Sequence, residues 1–275
     1  MMEVPSLTSA CAVVSPEGET APGVDELTDF YRDLAAPFGT AVDAERVRAG
    51  TRVSHRDLAD RLASVRPPGP APGLIVLTHA LPDLHPFTAV APRLDALLGG
   101  GATAFGISQQ GLSGPFTALR LVDRFQRSGR CTAAAVAVLE QSTMPSPHPH
   151  APAEGLVDSG VLLEFGTGGG PVLSAVEEFA PSERPGPRAA ALAAGSPEGT
   201  LLVLGPGVDG DEVDDGGGAA DRVRARADTH CTGIWLALAE NLRTWAEEYR
   251  TVLLCDRDPG SGRGHLAVFR SSPGD

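Results

Sequence analysis

The stretch from Ala104 to Val122, AFGISQQGLSGPFTALRLV, constrains this chain more than any other. It reads as a buried strand over Thr103–Ile107, a tight turn marked by Gly111, and an amphipathic helix over Gly114–Ser128. A strand that runs almost directly into a helix aims the turn residues and the first helical N–H groups at one place. Those N–H groups also carry the positive end of the helix dipole. Strand–turn–helix junctions of this kind present nucleophiles in unrelated enzyme folds. The residues placed there are Gln110, Gly111, Leu112, Ser113 and Gly114.

The rest of the chain alternates in the same manner. Leu74–Thr78 and Thr132–Leu139 are continuous apolar runs, the mark of strands covered on both faces. Val24–Ala36, Ser54–Val65 and Pro86–Leu98 carry apolar residues at helical spacing, and Ser54 followed by Asp57 is an N-cap with an acidic first turn. After a Pro-rich loop at 145–152, Val157–Phe165 and Val172–Glu178 read as neighbouring strands, a hairpin across Gly166–Pro171. Pro181–Gly199 reads as loop and short helix, Leu201–Leu204 as a buried strand and Val223–Ala227 as a strand. Thr232–Tyr249 is a strong helix, and Thr251–Cys255 and His265–Arg270 close the chain as strands. Alternation of this type implies an α/β fold with parallel strands. Its recurrence in the second half suggests an internal duplication, divided here as residues 1–150 and 151–275.

Composition narrows the partners. The 22 basic residues, all arginine, against 35 acidic ones leave a formal charge of −13, which argues against nucleic acid and anionic membranes. Arg46, Arg48, Arg52, Arg56 and Arg61 form either a local basic patch or a solvated helix face. No apolar run approaches the ~20 residues that cross a bilayer, and the amino terminus lacks the pattern of a secretory signal. Cys11, Cys131, Cys231 and Cys255 are widely spaced, as reduced thiols in a cytoplasm would be. His148 and His150 lack a third ligand, so no metal site is expected. Asp209, Asp211, Asp214 and Asp215 lack the spacing of a calcium loop. Gly166–Gly170 is not followed by a helix, which speaks against a dinucleotide site, and no cofactor is expected.

Several segments together resemble the thiolase superfamily, and within it the β-ketoacyl-ACP synthase III-like proteins. LIVLTHALPD at 74–83 is similar to their second-strand region, and AFGISQQGLSGPFTALRLVDRF to their nucleophile strand and helix. GLVDSGVLLEFG at 155–166 is similar to the segment that crosses into the sheet. THCTGIWLALAENL at 229–242 resembles the active-site turn and helix of their second half, and VLLCDRDPGSGRGHLAVF at 252–269 their last hairpin. The resemblance implies a five-layered thiolase-like fold of two related halves, each with a mixed sheet. It further implies acyl transfer on a CoA or carrier-protein thioester in polyketide or fatty-acyl metabolism, and a dimer.

The departures bear on the chemistry that the resemblance implies. The family's condensing reaction uses a cysteine thiolate, a histidine and an asparagine. The cysteine position is matched here by Leu112, the histidine position falls at Leu204-Gly205-Pro206-Gly207, and the asparagine position falls near Asp228–His230. Ser113, at a helix start, is an N-cap or a substitute nucleophile. His230 is a polar turn residue or the matching base, and Cys231 a buried thiol or an alternative nucleophile. His79 and Asp83 follow a strand and either line the site mouth or make structural contacts. Two readings stay open. One is an atypical acyltransferase with Ser113 as nucleophile, His230 as base and N–H groups around Gly111–Gly114 as oxyanion donors. The other is a catalytically silent homologue that partners an active ketosynthase-like subunit or binds acyl chains.

Overall fold

The computed structural model describes residues 5–15, 24–85, 87–150, 155–213 and 221–271. In chain order its elements begin with β1 (Ser6–Ser15), α1 (Val24–Ala35), α2 (Ala44–Ala49), α3 (His55–Val65), β2 (Leu74–His79) and α4 (Val90–Leu97). Next come β3 (Thr103–Ile107), α5 (Gly114–Arg127), β4 (Ala134–Glu140) and β5 (Asp158–Gly166). The remainder is β6 (Val172–Phe179), α6 (Pro185–Ala193), β7 (Thr200–Leu204), β8 (Asp221–Arg224), α7 (Gly233–Glu248), β9 (Thr251–Arg257) and β10 (Gly264–Arg270).

The strands lie in the order β3-β2-β4-β5-β1-β6-β10-β9-β7-β8. Five strands on each side of the centre form a unit, and the junction of β1 with β6 is the single pair Ser6↔Val172. Adding five to each strand number of β3-β2-β4-β5-β1 yields β8-β7-β9-β10-β6, which is the second unit read from its outer edge. Both units are mixed in the same places. β2 runs parallel to β3 and β4, as β7 does to β8 and β9, whereas β5 and β10 run antiparallel to their neighbours. The duplication suggested by the sequence is therefore one of topology. β5 follows residue 150 in the chain and still pairs into the first sheet.

Side-chain alternation along the central strands builds three cores. On β4, Val136 and Val138 face inward while Ala135, Ala137 and Leu139 face outward; on β9, Val252 and Leu254 face inward while Leu253 and Cys255 face outward. The inward sets meet α5 and α7 in the middle core, where Phe116 and Trp235 touch edge to face at 5.1 Å. The outward set of the first sheet is covered by Leu58 and Leu62 of α3 and by Val90 and Leu94 of α4. That of the second sheet is covered around Ala189 of α6. Helix, sheet, paired helices, sheet and helix make five layers, as expected.

Local departures have local causes. The hairpin expected across Gly166–Pro171 does not form, because β5 is sandwiched between β4 and β1 while β6 pairs along β10. The chain changes sheets between them. The helix expected from Pro86 begins at Val90, with residue 86 outside the described set. Ser54 does form a full capping box with Asp57 at the head of α3. A short helix, α2, arises where only an arginine run was noted; there Arg48 pairs with Glu45, while Arg61 of α3 turns to the Ser15 hydroxyl. Between β7 and β8 the described residues hold a 3-10 turn at Gly210–Glu212 where the first half has α4. Asp209 and Asp211 are exposed there, and Asp214 and Asp215 lie outside the described residues.

Candidate active site

The turns around 112 and 230 open on one cavity of about 560 Å³ at the heads of α5 and α7. Gln110, Gly111 and Ser113 line it from the first turn, and His230 from the second. Asp258, Ser261, Arg263 and His265 line it from the segment that joins β9 to β10. His148 and His150 close a further side, their rings 6.1 Å apart. No group of three or more metal-ligating side chains is placed to hold an ion among the described residues.

Ser113 does not cap α5. Its own backbone is already helical and its side chain makes no capping bond. Instead Ser113 Oγ lies 2.7 Å from Nε2 of His265, the second residue of β10. His265 is 3% exposed and its ring stacks on Phe116 at 5.0 Å. Burial, with Arg120 adding to it, pushes the imidazole down to about 4, against the opposing pull of Glu178 and Asp258. It is therefore neutral at pH 7 and able to accept a hydroxyl proton. Its Nδ1 is buried with no partner among the described residues.

His265 carries no motif, and strand periodicity is the one sequence signal it has. It shares a face of β10 with Ala267 and Phe269, both in the middle core. A histidine at the head of a strand whose same face carries Ala267 and Phe269 is the signal that points to it. His230, the residue expected to serve as base, borders the same cavity and is 4% exposed. Its imidazole is likewise held down to about 4, by burial first and His148 next.

The N–H groups expected to receive an oxyanion are occupied. Leu112 N–H donates to Asp258 Oδ1 at 3.0 Å, and Ser113 N–H donates to Gln110 O at 2.9 Å. The Gly114 N–H turns back to the Gly111 carbonyl. Ser261 holds the other Asp258 oxygen through its N–H (2.7 Å) and its hydroxyl (2.8 Å). This close approach requires glycine at 111. The backbone there has φ +50°, and a Cβ would sit 1.9 Å from Asp258 Oδ1. The neighbouring Gln109 has φ +61°, a left-handed conformation that a non-glycine residue seldom adopts.

The second turn is held in the same way from the other half. Glu140, at the end of β4, accepts the His230 N–H at 2.7 Å and also the Cys231 N–H. β4 and β9 are equivalent strands, and each half places a carboxylate at the end of its fourth strand or one residue beyond it, where it holds the turn that leads into the central helix of the opposite half.

Of the other expected site residues, Leu112, Gly114, Cys231 and His79 do not line the cavity. Leu112 is 3% exposed and belongs to the middle core. Cys231 is buried, its thiol donating to Leu139 O at 3.4 Å, and burial beside Glu140 raises it well above the ordinary thiol range. A thiol held protonated and buried in this way is poorly placed to act as a nucleophile. His79 sits with Nδ1 2.7 Å from Leu81 O and its ring 4.7 Å from His55. Gln110 does line the cavity and accepts from the Thr117 hydroxyl at 2.7 Å.

Neither protein-family profiles nor curated protein sequences yield a match to this chain. Solved structures do. 3-Oxoacyl-(acyl carrier protein) synthase III, FabH, from Pseudomonas aeruginosa PAO1 superposes with TM-score 0.65 at 18% identity, over 97% of this chain and 98% of that one. Cerulenin-bound OleA from Xanthomonas campestris gives 0.65 at 11% identity, over 98% and 99%. The ishigamide ketosynthase/chain length factor gives 0.62 at 17% identity, over 98% and 99%. At these identities the likeness is one of fold: this chain has the thiolase fold of the synthase III-like proteins.

Proposed function

We propose that this protein is a synthase III-like acyltransferase in which Ser113 takes an acyl group from a CoA or carrier-protein thioester, in polyketide or fatty-acyl metabolism of a cytoplasm. The observation that carries the reading is the 2.7 Å approach of Ser113 Oγ to the neutral His265 Nε2, inside a cavity open to substrate. A hydroxyl becomes a competent nucleophile when a positioned base accepts its proton in the transition state. Here Ser113 Oγ bonds to the thioester carbonyl carbon as its proton moves to His265 Nε2. The C–S bond then breaks and the departing thiolate takes the proton from His265 Nε2. His265 replaces His230 in this role because it is the imidazole in contact with the hydroxyl.

A second reading has its own support. Asp258 fills the N–H position at Leu112 where an oxyanion would be stabilised, and a carboxylate there repels one. This favours a silent homologue that pairs with an active ketosynthase-like subunit, or that binds acyl chains itself, as homodimer or heterodimer. Among the described residues the parallel edge strand β3 has no partner on its outer side and offers a place for such pairing.

Intact-mass measurement after incubation with acyl-CoA and acyl-carrier donors separates the two. The acyltransferase reading expects one acyl adduct on the wild type and none on Ser113→Ala. No adduct from any donor, with co-purification of a cysteine-bearing homologue, supports the silent partner.

A further inference from the structure

We propose that the cavity at Ser113 selects a short, uncharged, hydrogen-bonding acyl group of the hydroxyacyl class and does not accommodate a long alkyl chain. The inference rests on Ser113 as the acylation site and adds the substrate class. Of the described residues that line the cavity, Ala80 alone brings an apolar side chain; the rest are polar, charged or glycine. Ligand sites for alkyl chains are lined mainly by hydrophobic groups, since the chain must leave water for something no more polar than itself. Here a buried methylene would instead desolvate Gln109, Thr117 and the histidines without replacing their hydrogen bonds.

The space behind the serine is closed as well. Leu112, Phe116 and Trp235 are 3%, 0% and 1% exposed in one packed core, and His265 lies flat on Phe116. Among the described residues, the side chains between α5 and α7 behind the serine are packed core, which leaves no apolar lining for an alkyl tail on that side. The charges in the wall also cancel. Arg120 and Arg263 both pair with Glu178, at 3.4 Å in the first case, and Asp258 is held by Leu112 and Ser261. Among the described lining residues, two arginines against two carboxylates leave no net charge to balance an ionic substrate, so neutral donors and acceptors match best. A hydroxyl close to the thioester carbonyl supplies both.

The experiment uses the CoA thioesters of 3-hydroxybutyrate, butyrate, octanoate and dodecanoate. Binding to Ser113→Ala is measured by calorimetry, and labelling of the wild type by intact mass. The expected result is hydroxybutyryl binding at least about tenfold tighter than butyryl, with affinity flat or falling from butyryl to dodecanoyl. An apolar tunnel would instead tighten binding about fourfold per added methylene, and that trend overturns the proposal. Failure of all four thioesters to bind overturns it too. Selective binding of the hydroxyacyl thioester without any wild-type adduct sinks the serine-acylation reading and leaves the substrate class standing.

Discussion

At the scale of single residues, the site depends on one imidazole kept neutral by its surroundings. His265 is buried at the head of β10, so its charged form is penalised and its proton leaves at about pH 4 rather than 6.5. Below that value the ring is protonated and cannot accept from Ser113; above it the ring is free to do so. Acylation by a thioester donor should therefore rise with pH through about 4 and stay level across the neutral range, a profile that stopped-flow acylation measures. His265→Asn keeps a polar group in place and removes the base. We expect it to slow acylation on the order of 10²–10⁴-fold, with folding unchanged by circular dichroism. A rate that still climbs between pH 6.5 and 8 would assign the base elsewhere.

At the scale of elements, the two central helices are each held by a carboxylate from the opposite half. Glu140 receives the N–H groups at the head of α7, and Asp258 receives the turn before α5. Buried anions at helix N-termini gain from the dipole and from orphan donors, yet they lose hydration. For Glu140 the loss dominates, and burial raises its carboxyl from 4.5 to about 7 despite the His230 and Cys231 bonds. Between those values the unfolded chain has released this proton and the folded chain retains it. Stability from this group is thus complete below about 4.5 and declines as pH rises toward 7, by up to about 1.4 kcal/mol per unit. Glu140→Gln should remove that contribution to the slope when urea midpoints are compared across pH 4.5–7. An unchanged slope would mean that Glu140 is ionised throughout.

At the scale of the whole molecule, the two halves share their middle core and have little else in common by way of contact along the sheet junction. Trp235 reaches from α7 to Phe116 of α5 and is 1% exposed, so it belongs to both halves at once. Trp235→Ala should cost about 3–5 kcal/mol and lower a single calorimetric transition without splitting it. Two separated transitions, with one left in place, would show that each half folds on its own. Much of this architecture was legible beforehand. The apolar runs at 74–78 and 132–139, the capped helix after Ser54 and the stripe along α7 all came through, because burial on both strand faces and on one helix stripe leaves a periodic trace. The hairpin at 157–178 was misread because two adjacent apolar runs look alike whether they pair with each other or with distant strands.

The sequence by itself determined most strands and helices in their order and the turn at 111–114 as the place to look, since these follow from periodicity and from glycine's backbone freedom. Only the tertiary structure decided which groups meet there. Ser113 and His265 are 152 positions apart, and Asp258 enters the turn from the other half. Contacts across that separation are set by sheet crossing and core packing, which no local pattern records.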